Sequence, residues 1–140
     1  MHLRPYQPGE ETTLWDLYQG LGLQRERGDA QERMRWLAQL RGNMPFVVEY
    51  DNLVIGYVSL ERNGEINHFY VRQGWQGRGV GTLLMHKVHL QAAEQGIRLL
   101  SAAVCETAVE FFSRWGFIPV AHAHYPVHLG SIAMSKNLVL

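Results

Sequence analysis

Gln76-Gly77-Arg78-Gly79-Val80-Gly81 is the stretch whose reading decides the fold. An apolar run, Phe69-Tyr70-Val71, precedes it, and Thr82-Leu83-Leu84-Met85 follows as the opening of a helix. Glycines at 77, 79 and 81 strip side chains from a turn, so backbone N–H groups can close on an anion. The dipole of the following helix adds positive potential at the same place. Arg78 supplies a cation inside the turn. A strand, a glycine-rich turn and a helix N-terminus together make a pyrophosphate cradle running from Gln76 to Thr82.

The glycine spacing is G-x-G-x-G, not the dinucleotide fingerprint, and no Gly-Lys-Ser/Thr follows to make a P-loop. The pattern resembles the acetyl-CoA motif of the GNAT N-acetyltransferase superfamily, Gln/Arg-x-x-Gly-x-Gly/Ala. Gln76, Gly79 and Gly81 fill its fixed positions. Phe69-Tyr70-Val71-Arg72-Gln73-Gly74-Trp75 resembles that family's fourth strand and loop. A glycine loop without a ligand is the alternative. The resemblance implies an α/β fold of the GNAT acyl-CoA N-acyltransferase type, in a small single-domain bacterial-type member. Its central sheet is expected to be mixed, mostly antiparallel, splayed at the cofactor site and flanked by about four helices.

Composition sets the outer limits. The 140 residues suffice for one domain, 1–140, with a sizeable core. Hydrophobic residues make up 46 % and charged residues 19 %, an ordinary globular balance. Thirteen basic residues offset thirteen acidic ones, so no basic field is present to recruit nucleic acid. No apolar run reaches membrane-spanning length, and no signal-peptide core opens the chain. Cys105 is the single cysteine and has no partner for an internal disulfide, which suits a cytoplasmic location.

Periodicity organises the rest. Met1 to Tyr6 reads as a short strand, stopped by Pro8-Gly9. Leu14, Leu17, Tyr18 and Leu21 recur at helical spacing over 10–21. Asp29 is a plausible N-cap for a second helix, with Met34, Leu37 and Leu40 on one face. Residues 44–50 and 53–60 form a hairpin about Asp51-Asn52. Arg62-Asn63-Gly64 turns the chain into a strand over 65–71. Leu83, Leu84, Val88 and Ala92 give the next helix an inward face, closed at Gln95-Gly96. A buried strand over 98–104, a helix over 108–115, and two strands over 117–125 and 131–138 complete the chain. The order β-α-α-β-β-β-α-β-α-β-β is that of a GNAT domain.

Acetyl transfer from a thioester to an amine needs a held cofactor, donors for the carbonyl oxygen, and a base for the amine. The resemblance implies that the strand 65–71 splays from its neighbour and pairs with the pantetheine arm. By position, the Phe69 N–H resembles the oxyanion donor and the Val71 N–H a pantetheine partner, with Tyr70 between them. Glu65 lies where several family members carry a general-base glutamate. His68 is the rival base, since its ordinary pKa lies near neutrality. Strict alternation puts Glu65, Asn67 and Phe69 on one face and Ile66, His68 and Tyr70 on the other, but a bulge would break that register.

Cys105 to Phe117 resembles the family's Asn-x-x-Ala-x-x-Phe-Tyr-x-x-x-Gly-Phe, with Ala108, Phe111, Gly116 and Phe117 matching. Two positions depart from it. Cys105 stands where an asparagine often bonds the pantetheine, and Phe112 where a tyrosine often protonates the departing thiolate. Phenylalanine has no proton to give, so thiolate release would use another donor, water, or none, with Tyr125 and Tyr70 the nearest candidate donors. Cys105 reads as a buried structural thiol, because Glu106 beside it opposes thiolate formation. His122 and His124 alternate on a strand. No cysteine pair or compact carboxylate motif joins them, so no metal site is expected.

These readings converge on acetyl-CoA as co-substrate and an amine acceptor, attacked directly in a ternary complex. No nucleic-acid or membrane partner is expected, and a homodimer is left open. A non-catalytic acyl-CoA sensor and an interaction domain with a vestigial cradle are the rival classes.

Overall fold

The computed structural model describes residues 1–20, 30–43, 45–120 and 131–138. Among these, seven strands form one sheet in the order β1-β2-β3-β4-β5-β7-β6. They are β1 (His2–Pro5), β2 (Phe46–Tyr50), β3 (Leu53–Leu60), β4 (Glu65–Val71), β5 (Leu99–Cys105), β6 (Ile118–Pro119) and β7 (Ser131–Asn137). Four α-helices accompany them: α1 (Glu11–Gly20), α2 (Ala30–Gly42), α3 (Val80–Gln95) and α4 (Val109–Arg114). Every strand pair is antiparallel except β4–β5. No described helix is long and apolar enough to cross a membrane.

The turns form for local reasons. Asp51 and Asn52 both take positive φ, 51° and 64°, the twist that lets a two-residue loop follow the strands. After β3, the Asn63 side chain accepts a bond from the Glu65 N–H at 2.9 Å, and the Gly64 N–H donates to the Glu61 carbonyl at 3.0 Å. Gly64 has φ 95°, and a Cβ there would lie 2.0 Å from the Leu99 carbonyl oxygen. Only glycine lets β4 begin this close to β5.

Alternating residues of the sheet feed two cores. Val48, Ile55 and Val58 pack with α3 through Val80, Leu84, Met85 and Val88. Val47, Val54 and Tyr57 pack on the other face with Leu14, Trp15 and Leu17 of α1 and Trp36 and Leu40 of α2. Arg4 fastens α1 to the sheet edge: its guanidinium grips Glu10 through two bonds of 2.8 and 2.7 Å and reaches Glu49 at 3.2 Å. Such a two-pronged contact fixes direction as well as distance.

Several expectations need correction. Met34 is 71 % exposed, and Trp36 takes the inward position on α2. Apolarity alone favoured Met34, but the larger indole also has a polar edge to satisfy. Cys105 is exposed at the end of β5, with Sγ 3.4 Å from Thr107 Oγ1, so it is not a buried thiol. Strand alternation turns it outward beside the buried Val104. Asp29, Tyr125 and the histidines at 122, 124 and 128 lie outside the described residues.

Candidate functional site

The glycine turn is built as an open cradle. Gly77 and Gly79 take φ 77° and 88°, a region other residues rarely occupy. Gly79 is the N-cap of α3 and provides no side-chain cap to the first helical N–H groups. The N–H groups of Val80, Gly81 and Thr82 therefore face outward at the positive end of a sixteen-residue helix. The Val80 side chain points the other way, into the core at 1 % exposure. Gly81 serves packing: a Cβ there would press on the Phe111 ring at 3.2 Å. Gln76, Arg78 and Thr82 are exposed, and the Arg78 guanidinium lies 5.1 Å over the Trp75 ring.

Beside the cradle, the sheet opens. β4 and β5 pair only at Glu65–Ser101 and Ile66–Ala102, although each strand continues. The Arg72 N–H donates to the Ile55 carbonyl of β3 at 2.7 Å. Alternation from Arg72 turns the Tyr70 and His68 amides toward β3 as well. The Phe69 and Val71 amides accordingly face the gap between β4 and β5. Ala108 is half-buried at the far side of the gap, in the short 3₁₀ turn Glu106–Ala108 before α4. Phe112 is 5 % exposed, its ring 5.5 Å from Phe69 and 5.1 Å from Phe117. It closes the floor of the gap with hydrocarbon.

A bulge decides which side chains share a face. Leu60 pairs with Ile66 but Ser59 pairs with His68, so Asn67 is an extra residue in β4. Ile66, Phe69 and Val71 pack toward α3, whereas Tyr70 packs toward α1 and α2. Alternation from Ile66 places Glu65 on the α1–α2 side, the side of His68 and Tyr70. Without the bulge Glu65 and His68 would point in opposite directions.

Two polar arrangements stand on that face. The hairpin sets Glu61 opposite Glu65, with the Glu61 N–H bonded to the Glu65 carbonyl at 2.8 Å. Asn67 Nδ2 donates to Glu61 Oε1 at 2.8 Å and holds that carboxylate in place. Burial, and then the neighbouring Glu61, raise the Glu65 pKa above its ordinary value. Farther along, His68 is buried among Tyr18, Trp36, Tyr57 and Tyr70, at ring distances of 5.8 to 6.2 Å. Burial pulls its imidazole down to about 4. A raised pKa makes an ionised carboxylate the better proton acceptor, whereas a deeply buried imidazole resists protonation.

Sequence reasoning missed Glu61, Tyr18, Trp36 and Tyr57. A signal for Glu61 existed, because the Arg62-Asn63-Gly64 turn must face residue 61 with residue 65. No comparable signal marked the aromatic shell. The described residues contain no group of three or more side chains suited to hold a metal.

The wider comparisons agree with this architecture. An acetyltransferase of the GNAT family from Staphylococcus aureus superposes with a TM-score of 0.82 at 16 % identity, over 99 % of both chains. A GCN5-related N-acetyltransferase from Rhodopseudomonas palustris gives 0.81 at 22 % identity, over 98 % of this chain and 95 % of that one. A candidate acetyltransferase from Salmonella typhimurium, solved with its cofactor acetyl-CoA, gives 0.76 at 20 % identity, over 100 % and 95 %. In sequence, an uncharacterised N-acetyltransferase of Methanocaldococcus jannaschii is 29 % identical over 96 residues. That match takes in 59 % of this chain and 42 % of the relative, so the chain spans less than half of the relative's length. The family model described as an acetyltransferase (GNAT) domain matches residues 17–138. With that match over most of its length, and a sheet that opens beside a glycine cradle, the chain belongs to the GNAT acetyltransferase family.

Proposed function

We propose that the protein transfers an acetyl group from acetyl-CoA to a primary amine by direct attack in a ternary complex. The observation that carries this reading is the two-pair contact between β4 and β5. Past Ile66, among the described residues, no strand pairs with the β5-facing side of β4, where the Phe69 and Val71 amides point, and the N-terminus of α3 stands at the same end. An extended pantetheine arm would complete the sheet there, and the pyrophosphate would rest on the amides of 80–82. The candidate Salmonella enzyme with the same fold holds acetyl-CoA, which supports that choice of ligand.

In this scheme the Phe69 N–H donates to the thioester carbonyl oxygen, where negative charge develops as the tetrahedral intermediate forms. Glu65, directly or through one water, takes the proton of the attacking amine. The C–N bond forms, the C–S bond breaks, and CoA leaves as its thiolate. Phe112 cannot protonate it, but a thiolate is a tolerable leaving group near neutral pH. Cys105, exposed and paired with Thr107, can contact the arm but is not needed as a nucleophile. A non-catalytic acyl-CoA binder is the second reading, favoured by Phe112. Free CoA released from acetyl-CoA by a panel of amines separates the two, since a binder releases none above the hydrolysis background.

Two further outcomes are expected. Hydrogen exchange at the Phe69 and Val71 amides should slow on adding acetyl-CoA, by more than at Val47 and Val58 in the paired strands. Equal protection with and without cofactor would count against an arm bound in the gap. The second concerns pH. Only ionised Glu65 accepts a proton, so rate rises with pH through its elevated pKa. Glu61 helps to raise that value, so Glu61→Gln should move the acidic limb of the rate profile to lower pH. A limb that stays in place would remove Glu65 as the titrating group.

A further inference from the structure

Three half-buried polar side chains form a short hydrogen-bonded chain beside the β3–β4 turn: Asn67, Glu61 and Glu65. Asn67 is the bulge residue and has no register partner in β3. Its side chain reaches back along the hairpin, and Nδ2 donates to Glu61 Oε1 at 2.8 Å. Glu61 in turn hydrogen-bonds the carboxyl group of Glu65. Two carboxyl groups in contact do not ionise independently, so one proton is held between them. Asn67 decides on which of the two it rests. An amide nitrogen only donates, so Glu61 Oε1 must accept, and that bond is stronger when Glu61 carries the charge. The shared proton then belongs to Glu65, whose O–H points at Glu61.

Burial and Glu61 are what raise the Glu65 pKa. On that side of the sheet β4 meets β3, β5 and α1, while α3 covers the opposite face. The other titratable or charged groups of these elements are Tyr57 of β3, Cys105 of β5, Glu11, Asp16 and Tyr18 of α1, His68 and Tyr70 of β4, and Arg62 in the turn. None of them is among the causes of the shift at Glu65.

We propose that Asn67 is a positioning residue for the general base: by holding Glu61 against Glu65 as the charged partner, it keeps the shared proton on Glu65. That proton must leave before Glu65 can accept one from an amine, so Asn67 sets the pH at which turnover begins. The consequence for rate rests on Glu65 acting as the base, as proposed above, but the placement of the proton does not.

Carboxyl ¹³C and side-chain amide ¹⁵N NMR, followed through a pH titration, test that placement in the parent protein. The Asn67 amide reports charge on Glu61, and the Glu65 carboxyl carbon reports loss of the shared proton. The amide signal should therefore make most of its movement at lower pH than the carbon. The opposite order, or one common midpoint, overturns the proposal. Asn67→Leu removes the donor at nearly constant size. The proton should pass to Glu61, and the Glu65 midpoint should fall by at least about half a pH unit, about a threefold loss of proton affinity. In a Glu61→Gln background the same substitution should add no further shift, because Asn67 acts only through Glu61. A Glu65 midpoint that stays in place in Asn67→Leu, or an equal shift with and without Glu61, overturns the proposal. Rates of free CoA release with an accepted amine separate the two readings. An acidic limb that falls together with the Glu65 midpoint supports both. A midpoint that falls without the limb sinks the general-base reading alone. A limb that moves while the Glu65 midpoint does not sinks the Asn67 proposal alone.

Discussion

Glu65→Gln should lower turnover by at least about a hundredfold while leaving acetyl-CoA affinity nearly unchanged, since a positioned general base contributes ~10²–10⁴-fold. The substitution keeps the size of the side chain and removes its basicity. Glu65 stands across the hairpin from Glu61, and burial together with that neighbour raises its pKa. A carboxylate raised in this way is a better proton acceptor near neutral pH than an exposed one. The variant should also lose the acidic limb of the pH–rate profile. Calorimetry with acetyl-CoA and steady-state rates on one preparation check both halves. Turnover near the parent rate would move proton removal to solvent or to the fraction of amine already unprotonated. It would leave the fold and the cradle untouched, because Glu65 lies on the α1–α2 side and the cradle does not contain it.

Gly79→Asp carries the other large effect: acetyl-CoA affinity should fall about a hundredfold or more, through charge placed at a phosphate site. A Cβ at Gly79 meets nothing nearer than Met1 Cε at 3.9 Å, so the protein itself has room for the side chain. The φ of 88° imposes strain on any other residue, on the order of 1–3 kcal/mol. Gly79→Asn carries a similar strain without the charge and serves as the control. If charge at the phosphates dominates, asparagine should lose much less affinity than aspartate. Equal losses would mean that backbone strain alone disrupts the turn. Unchanged affinity in both would move the pyrophosphate away from α3. Melting curves confirm that each variant is folded before binding is measured.

The chain itself determined those features whose physics is local. Glycines at 77 and 79 are needed because the backbone there has φ values that side chains oppose, and a demand of that kind is visible in one dimension. The same holds for Asp51-Asn52 and for Asn63-Gly64, whose turns set the ends of β3 and β4. Helical spacing found α1, α2 and α3 to within a few residues. It chose the wrong inward residue on α2, because periodicity marks a face but not which side chain has a partner waiting there.

Tertiary structure alone decided what faces what. The bulge at Asn67 exists because β4 pairs with β3 in two registers, at Leu60–Ile66 and at Ser59–His68. No property of residues 65–71 by themselves contains that shift, yet it brings Glu65 and His68 to one side. The opening between β4 and β5 is likewise a relation between strands about thirty residues apart, held closed at one end by the contact of Gly64 with Leu99. The shell of Tyr18, Trp36, Tyr57 and Tyr70 around His68 draws on two helices and two strands. Its burial sets the charge state of the imidazole, and burial is fixed only when those elements pack together.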